Sequence, residues 1–118
     1  MKQLRLGAAS VAVFALIALP AHGGTAPIKL TGTVGPGFTI TLTKGGKAVK
    51  TLSPGKYALT IADRSSIHNF ELRGPGVNVD TGVVRKGTKT YAITLRKGTY
   101  RYVCEPHDTS MKGSFVVR

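Results

Sequence analysis

The chain has no tryptophan, one cysteine and only five acidic residues among 118. A single cysteine excludes an intramolecular disulfide framework, the usual reinforcement of small exported domains. Five Asp plus Glu against 17 Lys plus Arg give a formal net charge of +12. The length has room for one domain and excludes a large multidomain enzyme. No segment shows a helical period, an internal repeat, low complexity or a linker. With 42% hydrophobic residues the chain is apolar enough to fold despite its excess of one charge.

The first 23 residues read separately from the rest. Lys2 and Arg5 form a basic start, Leu6 to Leu19 form a largely apolar run of 14 residues, and Pro20-Ala21-His22-Gly23 supplies small residues at alternate positions. A spanning helix needs about 20 apolar residues, so this pattern predicts a secretory signal peptide at 1–23, cleaved before Gly24, rather than an anchor. No cysteine follows the run closely enough for lipid modification. Its removal takes two basic residues and no acid, which leaves +10 on a mature domain at 24–118. The expected location is periplasmic or extracellular.

Turn signals recur at Gly35-Pro36-Gly37, Lys44-Gly45-Gly46-Lys47, Ser53-Pro54-Gly55, Gly74-Pro75-Gly76, Arg85-Lys86-Gly87 and Arg96-Lys97-Gly98. Runs rich in Val, Ile, Thr, Tyr and Phe lie between them and predict strands over 28–34, 38–43, 48–52, 57–62, 67–72, 77–84 (with a break at Gly82), 89–95, 100–104 and 114–117. Alternation of Tyr91, Ile93, Leu95 with Thr90, Ala92, Thr94, and of Phe38, Ile40, Leu42 with Thr39, Thr41, Thr43, gives each strand one buried and one wet face. The expected fold is an all-β Greek-key β-sandwich of seven to nine strands.

Once the leader is set aside, the soft and imidazole side chains number four: His68, Cys104, His107 and Met111. Three of them share the stretch Cys104-Glu105-Pro106-His107-Asp108-Thr109-Ser110-Met111, where a strand end delivers Cys104 and a turn brings in the others. His68 comes from 36 residues earlier, within Ile67-His68-Asn69-Phe70. Two imidazoles and a thiolate with a weak thioether form a donor set suited to electron-transfer copper, since sulfur favours the reduced ion and imidazole tolerates both states. Each residue also has a plainer role open to it. Cys104 can be a buried thiol or half of a Cys-His nucleophilic pair, although no orienting third group is apparent. His68 can be a satisfied sandwich histidine, and Met111 can fill core.

His68-Asn69 followed far downstream by C-x-x-H-x-x-x-M resembles the type 1 copper signature of the plastocyanin and azurin group of cupredoxins. The resemblance implies a cupredoxin-like sandwich with one copper ion, cycling between Cu(I) and Cu(II), near one end. It implies equatorial His68, Cys104 and His107 and axial Met111. It also implies that Asn69 ties the His68 loop to the Cys104 loop and that a backbone amide points at the thiolate sulfur. Two features depart from the family. Plastocyanin-like loops leave four residues between the second His and the Met, and azurin-like loops leave four between Cys and His, where this chain has three and two. Glu105 and Asp108 also stand where carriers of the family present a more apolar patch.

The function expected from these residues is that of a small exported blue-copper electron carrier, not an enzyme. A periplasmic Cu(I)-handling protein using the same ligands, marked by exposed Cys104 and Met111, is the alternative, and a metal-free binding module of the same fold is a third. Lys44, Lys47, Lys50, Arg85, Lys86, Lys89, Arg96 and Lys97 spread the charge over turns, as a solvated surface does. If that surface docks, its expected partners are acidic redox proteins, with peripheral contact to an anionic membrane surface. Nucleic acid is not expected, and the protein is expected to be a monomer.

Overall fold

The computed structural model describes residue 3, residues 7–15 and residues 26–118. The expected leader at 1–23 and its cleavage point fall largely outside the described residues. Those of the leader that are described have neither helix nor strand, and no described helix is long and apolar enough to cross a membrane.

Ten strands are described: β1 (Ile28–Val34), β2 (Ile40–Lys44), β3 (Lys47–Ala48), β4 (Thr51–Leu52), β5 (Gly55–Asp63), β6 (Glu71–Gly74), β7 (Val77–Asp80), β8 (Gly87–Leu95), β9 (Gly98–Val103) and β10 (Lys112–Val117), with a single 3-10 turn, η1 (Glu105–His107), between the last two. They form two five-stranded sheets, ordered β3-β2-β1-β5-β8 and β4-β10-β9-β6-β7. The pairings β1 with β5 and β4 with β10 are parallel and the others antiparallel. This is the expected two-sheet sandwich.

Period-2 alternation makes the core. On β5, Tyr57, Leu59, Ile61 and Asp63 all point inward, joined by Leu30 and Val34 of β1, Leu42 of β2, and Ile93 and Leu95 of β8. The second sheet answers with Leu52, Leu72, Val77, Val79, Tyr100, Phe115 and Val117. Aromatic rings are seated on glycines. A Cβ on Gly74 would lie 2.2 Å from the Tyr100 ring, and one on Gly113 would lie 2.2 Å from that of Tyr102. The crossing from β8 in one sheet to β9 in the other is pinned by the Tyr100 hydroxyl, which accepts the Arg96 N–H (3.0 Å) and faces the carbonyl oxygens of Arg96 (2.8 Å) and Pro75 (3.2 Å).

The structure corrects four local expectations. The run 48–52 is two strands in different sheets, because the chain passes between layers at Val49-Lys50; this raises the count from nine to ten. The run 77–84 ends as strand at Asp80, before the break foreseen at Gly82. Residues 67–70 form a loop rather than the start of a strand, since their backbone groups bond to side chains and to another loop. Phe38, expected on a buried face, lies before β2 and is 63% exposed.

Removing the Tyr100 hydroxyl leaves Arg96 and Pro75 groups without their partner. Tyr100→Phe is expected to cost about 1–3 kcal/mol, read as a lower midpoint in urea denaturation with an unchanged slope; an unchanged midpoint would show that the crossing does not depend on this hydroxyl.

Candidate metal centre

One end of the sandwich is built from two loops. The first runs from Arg64 to Phe70 and carries His68. Asp63, in the inward phase of β5, accepts the Ser65 N–H (3.0 Å) and, on its other oxygen, the Thr81 hydroxyl (3.2 Å). Ser65 Oγ accepts the Ile67 N–H (3.1 Å), and Thr81 Oγ1 accepts the Phe70 N–H (2.8 Å). His68 therefore sits between two fixed points. Burial pushes the Asp63 carboxyl above its usual range, against its hydrogen bonds and the nearby His68.

Gly35 lies beside this loop with φ +69°, and a Cβ there would come within 2.8 Å of Ser65 and 3.4 Å of His68. Only glycine combines that conformation with that approach.

The second loop closes on itself. Cys104 follows β9, and its N–H donates to the Met111 carbonyl (3.0 Å), continuing the ladder with β10. Pro106 suits the opening of η1, which carries His107. The His107 N–H donates to the Cys104 carbonyl (3.0 Å) and the Met111 N–H to the His107 carbonyl (2.8 Å). Two residues between Cys104 and His107, and three before Met111, are thus enough to fold the whole stretch into one tight turn.

Asn69 joins the loops: its Oδ1 accepts the Glu105 N–H (2.7 Å), and its Nδ2 donates to Asp80 Oδ1 (3.0 Å). This is the tie expected of Asn69. Cys104 Sγ itself lies against the two imidazoles, and Pro106, two residues on, has no N–H to offer it.

The joined loops bring three donor atoms together. His68 Nδ1 and His107 Nδ1 are 3.0 Å apart, and Cys104 Sγ lies 3.6 Å and 3.5 Å from them. A point in the plane of these atoms is about 2.0 Å from each, close to the bond lengths of about 2.0–2.3 Å that imidazole and thiolate make to a metal such as zinc. His68 Nε2 is buried with no hydrogen-bond partner, and Nδ1 is the ring nitrogen that faces the other two donors. Two ring nitrogens and a sulfur facing one point fit a single soft-to-borderline ion such as copper. Cys104 and His68 are fully buried, Met111 is buried in the same turn as Cys104, and His107 is half-buried.

Three contributors were not visible as site residues in the sequence. Phe38 packs edge-on against both imidazoles, with ring centroids 5.1 Å from His68 and 4.9 Å from His107; its position after Gly-Pro-Gly was the available signal. Asp63 carries a weaker one, a carboxylate in the inward phase of an alternating strand. The third is Glu71, which is buried beside Glu105 and paired with Arg73, whose Nη2 also lies 3.6 Å from Glu105. Burial, the contact with Glu105 and the charge of Asp80 push Glu71 up to about 7, against the pull of Arg73.

A family model described as copper binding proteins, plastocyanin/azurin family, matches residues 46–118. Among solved structures, the chain is similar to the copper protein rusticyanin at 18% identity, covering 78% of each chain with a TM-score of 0.58. It is also similar to rusticyanin from Thiobacillus ferrooxidans at 24% identity, covering 78% of this chain and 77% of that one with a TM-score of 0.54. These likenesses establish the fold. None of the curated proteins compared with it matches in sequence.

The raised Glu71 gives stability a definite sign. Between its ordinary 4.5 and about 7 the folded chain keeps a proton that the unfolded chain has released, so stability falls as pH rises through that range. Asp63 adds to the same slope. Urea midpoints are expected to decline from pH 4.5 to 7 and the decline to shrink in Glu71→Gln; a midpoint that rises over this range would contradict the assignment.

Proposed function

Because the chain belongs to the plastocyanin/azurin family of copper-binding proteins, we propose that it is a small exported blue-copper electron carrier in which His68, Cys104 and His107 would hold one copper ion, with Met111 as a weak further donor. When bound, the ion supplies one-electron chemistry, cycling between Cu(I) and Cu(II). The observation that carries this reading is the convergence of Nδ1, Nδ1 and Sγ within 3.6 Å of one another.

The chain's own residues do the rest. The Asp63-Ser65-Thr81 bonds fix the His68 loop, and Asn69 fixes it to the Cys104 turn, so the donors are already spaced for the ion. Such pre-organisation limits the rearrangement that accompanies a change of charge at the site. Complete burial of Cys104 and Met111 keeps water and exchanging thiols away from the sulfur donors. It favours electron transfer over Cu(I) handling, for which these side chains would need to be reachable, and over a Cys-His nucleophile, which a substrate must reach. His107 is half-buried, and exposed Phe38 leans on it; this edge offers a short route from the site to a partner.

The leader pattern supports export to the periplasm or beyond. The mature charge of +10 supports acidic redox partners, reached faster at low ionic strength, and the carrier acts as a monomer.

A Cu(II) titration of the purified chain tests the proposal. An intense thiolate-to-copper band saturating at one equivalent, with narrow hyperfine splitting in electron paramagnetic resonance, is expected. Cys104→Ala should be colourless, while Met111→Leu should keep its colour and show a higher potential. A coloured Cys104→Ala would overturn the ligand set, and tight Cu(I) binding without the Cu(II) band would favour copper handling.

A further inference from the structure

Three of the five acidic residues of this basic chain meet at one place on the flank of the Cys104 turn. Glu71 comes from β6, Asp80 from the end of β7 and Glu105 from η1, and a carboxylate oxygen from each lies within 4.8 Å of the others. Glu71 and Asp80 stand directly opposite in the β6–β7 ladder. Like charges in that position oppose strand pairing, so the arrangement calls for a cation among them.

Glu71 supplies an independent pointer to a ligand. It is 4% exposed, its Oε2 is buried with no N–H or hydroxyl donor, and the Glu105 carboxylate lies against its side chain. A buried carboxylate oxygen left unsatisfied is costly. Its other oxygen is paired with Arg73, a guanidinium 64% exposed that reaches Glu105 only at 3.6 Å. Three carboxylates thus share two exposed guanidiniums, those of Arg73 and Arg101. Asp80 is oriented through Oδ1, which accepts Asn69 Nδ2 (3.0 Å) and the Gly82 N–H (2.8 Å), leaving Oδ2 available. Glu71 and Glu105 line a cleft of about 400 Å³ with Arg73, Arg101, Val103 and Asp108, which gives an ion a way in and room for the waters that complete its shell.

We propose that Glu71, Asp80 and Glu105 form a second metal site, taking a hard divalent cation of the calcium class. The donors are all oxygen, which selects against the soft ions suited to His68, Cys104 and His107. With three carboxylates and several waters, the affinity expected is that of extracellular calcium modules, about 10⁻⁴–10⁻³ M. The site shares no side chain with the copper donors. Asn69 nonetheless touches both its walls, bonding Asp80 with one end of its carboxamide and the Glu105 backbone with the other. The assignment stands independently of the copper reading.

Terbium(III) luminescence on the purified full chain tests it, with the ion as probe, tyrosine as sensitiser and Ca²⁺ as competitor. Saturation at one Tb³⁺ per chain and displacement by Ca²⁺ are expected, with binding weakened at least about tenfold in Glu71→Gln and in Glu105→Gln; the half-exposed side chain of Glu105 makes the second variant safe for folding. Thermal unfolding of Arg73→Ala gives a second reading, because a cation bound only to the folded state must raise its midpoint. Absence of saturable emission, emission unaltered in both Gln variants, or no rise of the Arg73→Ala midpoint with millimolar Ca²⁺ would each overturn the proposal.

Discussion

The centre depends on one carboxamide. His68 and Cys104 lie on separate loops 36 residues apart, and nothing in sandwich packing alone brings an imidazole of one loop to the sulfur of the other. Asn69 does so by accepting the Glu105 N–H at 2.7 Å while donating to Asp80 at 3.0 Å. Each bond takes the residue next to a proposed ligand and ties it across the sheet: Asn69 follows His68, and Glu105 follows Cys104. The imidazole and the thiolate then have little freedom left, which explains how three donors lie at metal-binding spacing in the chain itself. Asp63 and Thr81 extend the same brace into the core, so that the rigidity of β5 reaches the site.

Around this brace the molecule separates its charges. Basic residues are spread over strands and turns alike, while Glu71, Asp80, Glu105 and Asp108 gather beside the Cys104 turn and Asp63 stays buried below it. The copper end therefore presents a mixed border, with apolar Phe38 against the imidazoles on one side and carboxylates with Arg73 and Arg101 on the other. A partner approaching His107 meets both.

Much of this was legible in the residues. Alternation in Tyr91-Ala92-Ile93-Thr94-Leu95 and the Gly- and Pro-bearing turns announced the sandwich, and the strand over 28–34 has the bounds that its composition suggests. The family match over residues 46–118 agrees with the resemblance carried by His68-Asn69 and the C-x-x-H-x-x-x-M stretch. What stayed hidden depends on tertiary context. Phe38 continues the alternation of Ile40 and Leu42, and period alone cannot show that the chain has left the sheet by then. Val49-Lys50 reads as strand because nothing local records a change of layer. The run from Ile67 to Phe70 has β-forming residues, yet its backbone is claimed by Ser65 and Thr81, partners no short window contains. Glu71 looks like a solvent-facing residue until Arg73 and the Cys104 turn cover it.

The central claim is that one rigid set of two imidazoles and a thiolate serves the ion in both oxidation states. X-ray absorption at the copper edge, on the copper-loaded chain oxidised and then reduced, tests it most directly. The account predicts two nitrogen scatterers and one short sulfur scatterer in each state, at the distances of about 2.0–2.3 Å that the spacing of the donors allows, with little change on reduction. Loss of the sulfur scatterer, or replacement of a nitrogen by new oxygen ligands in either state, would contradict it.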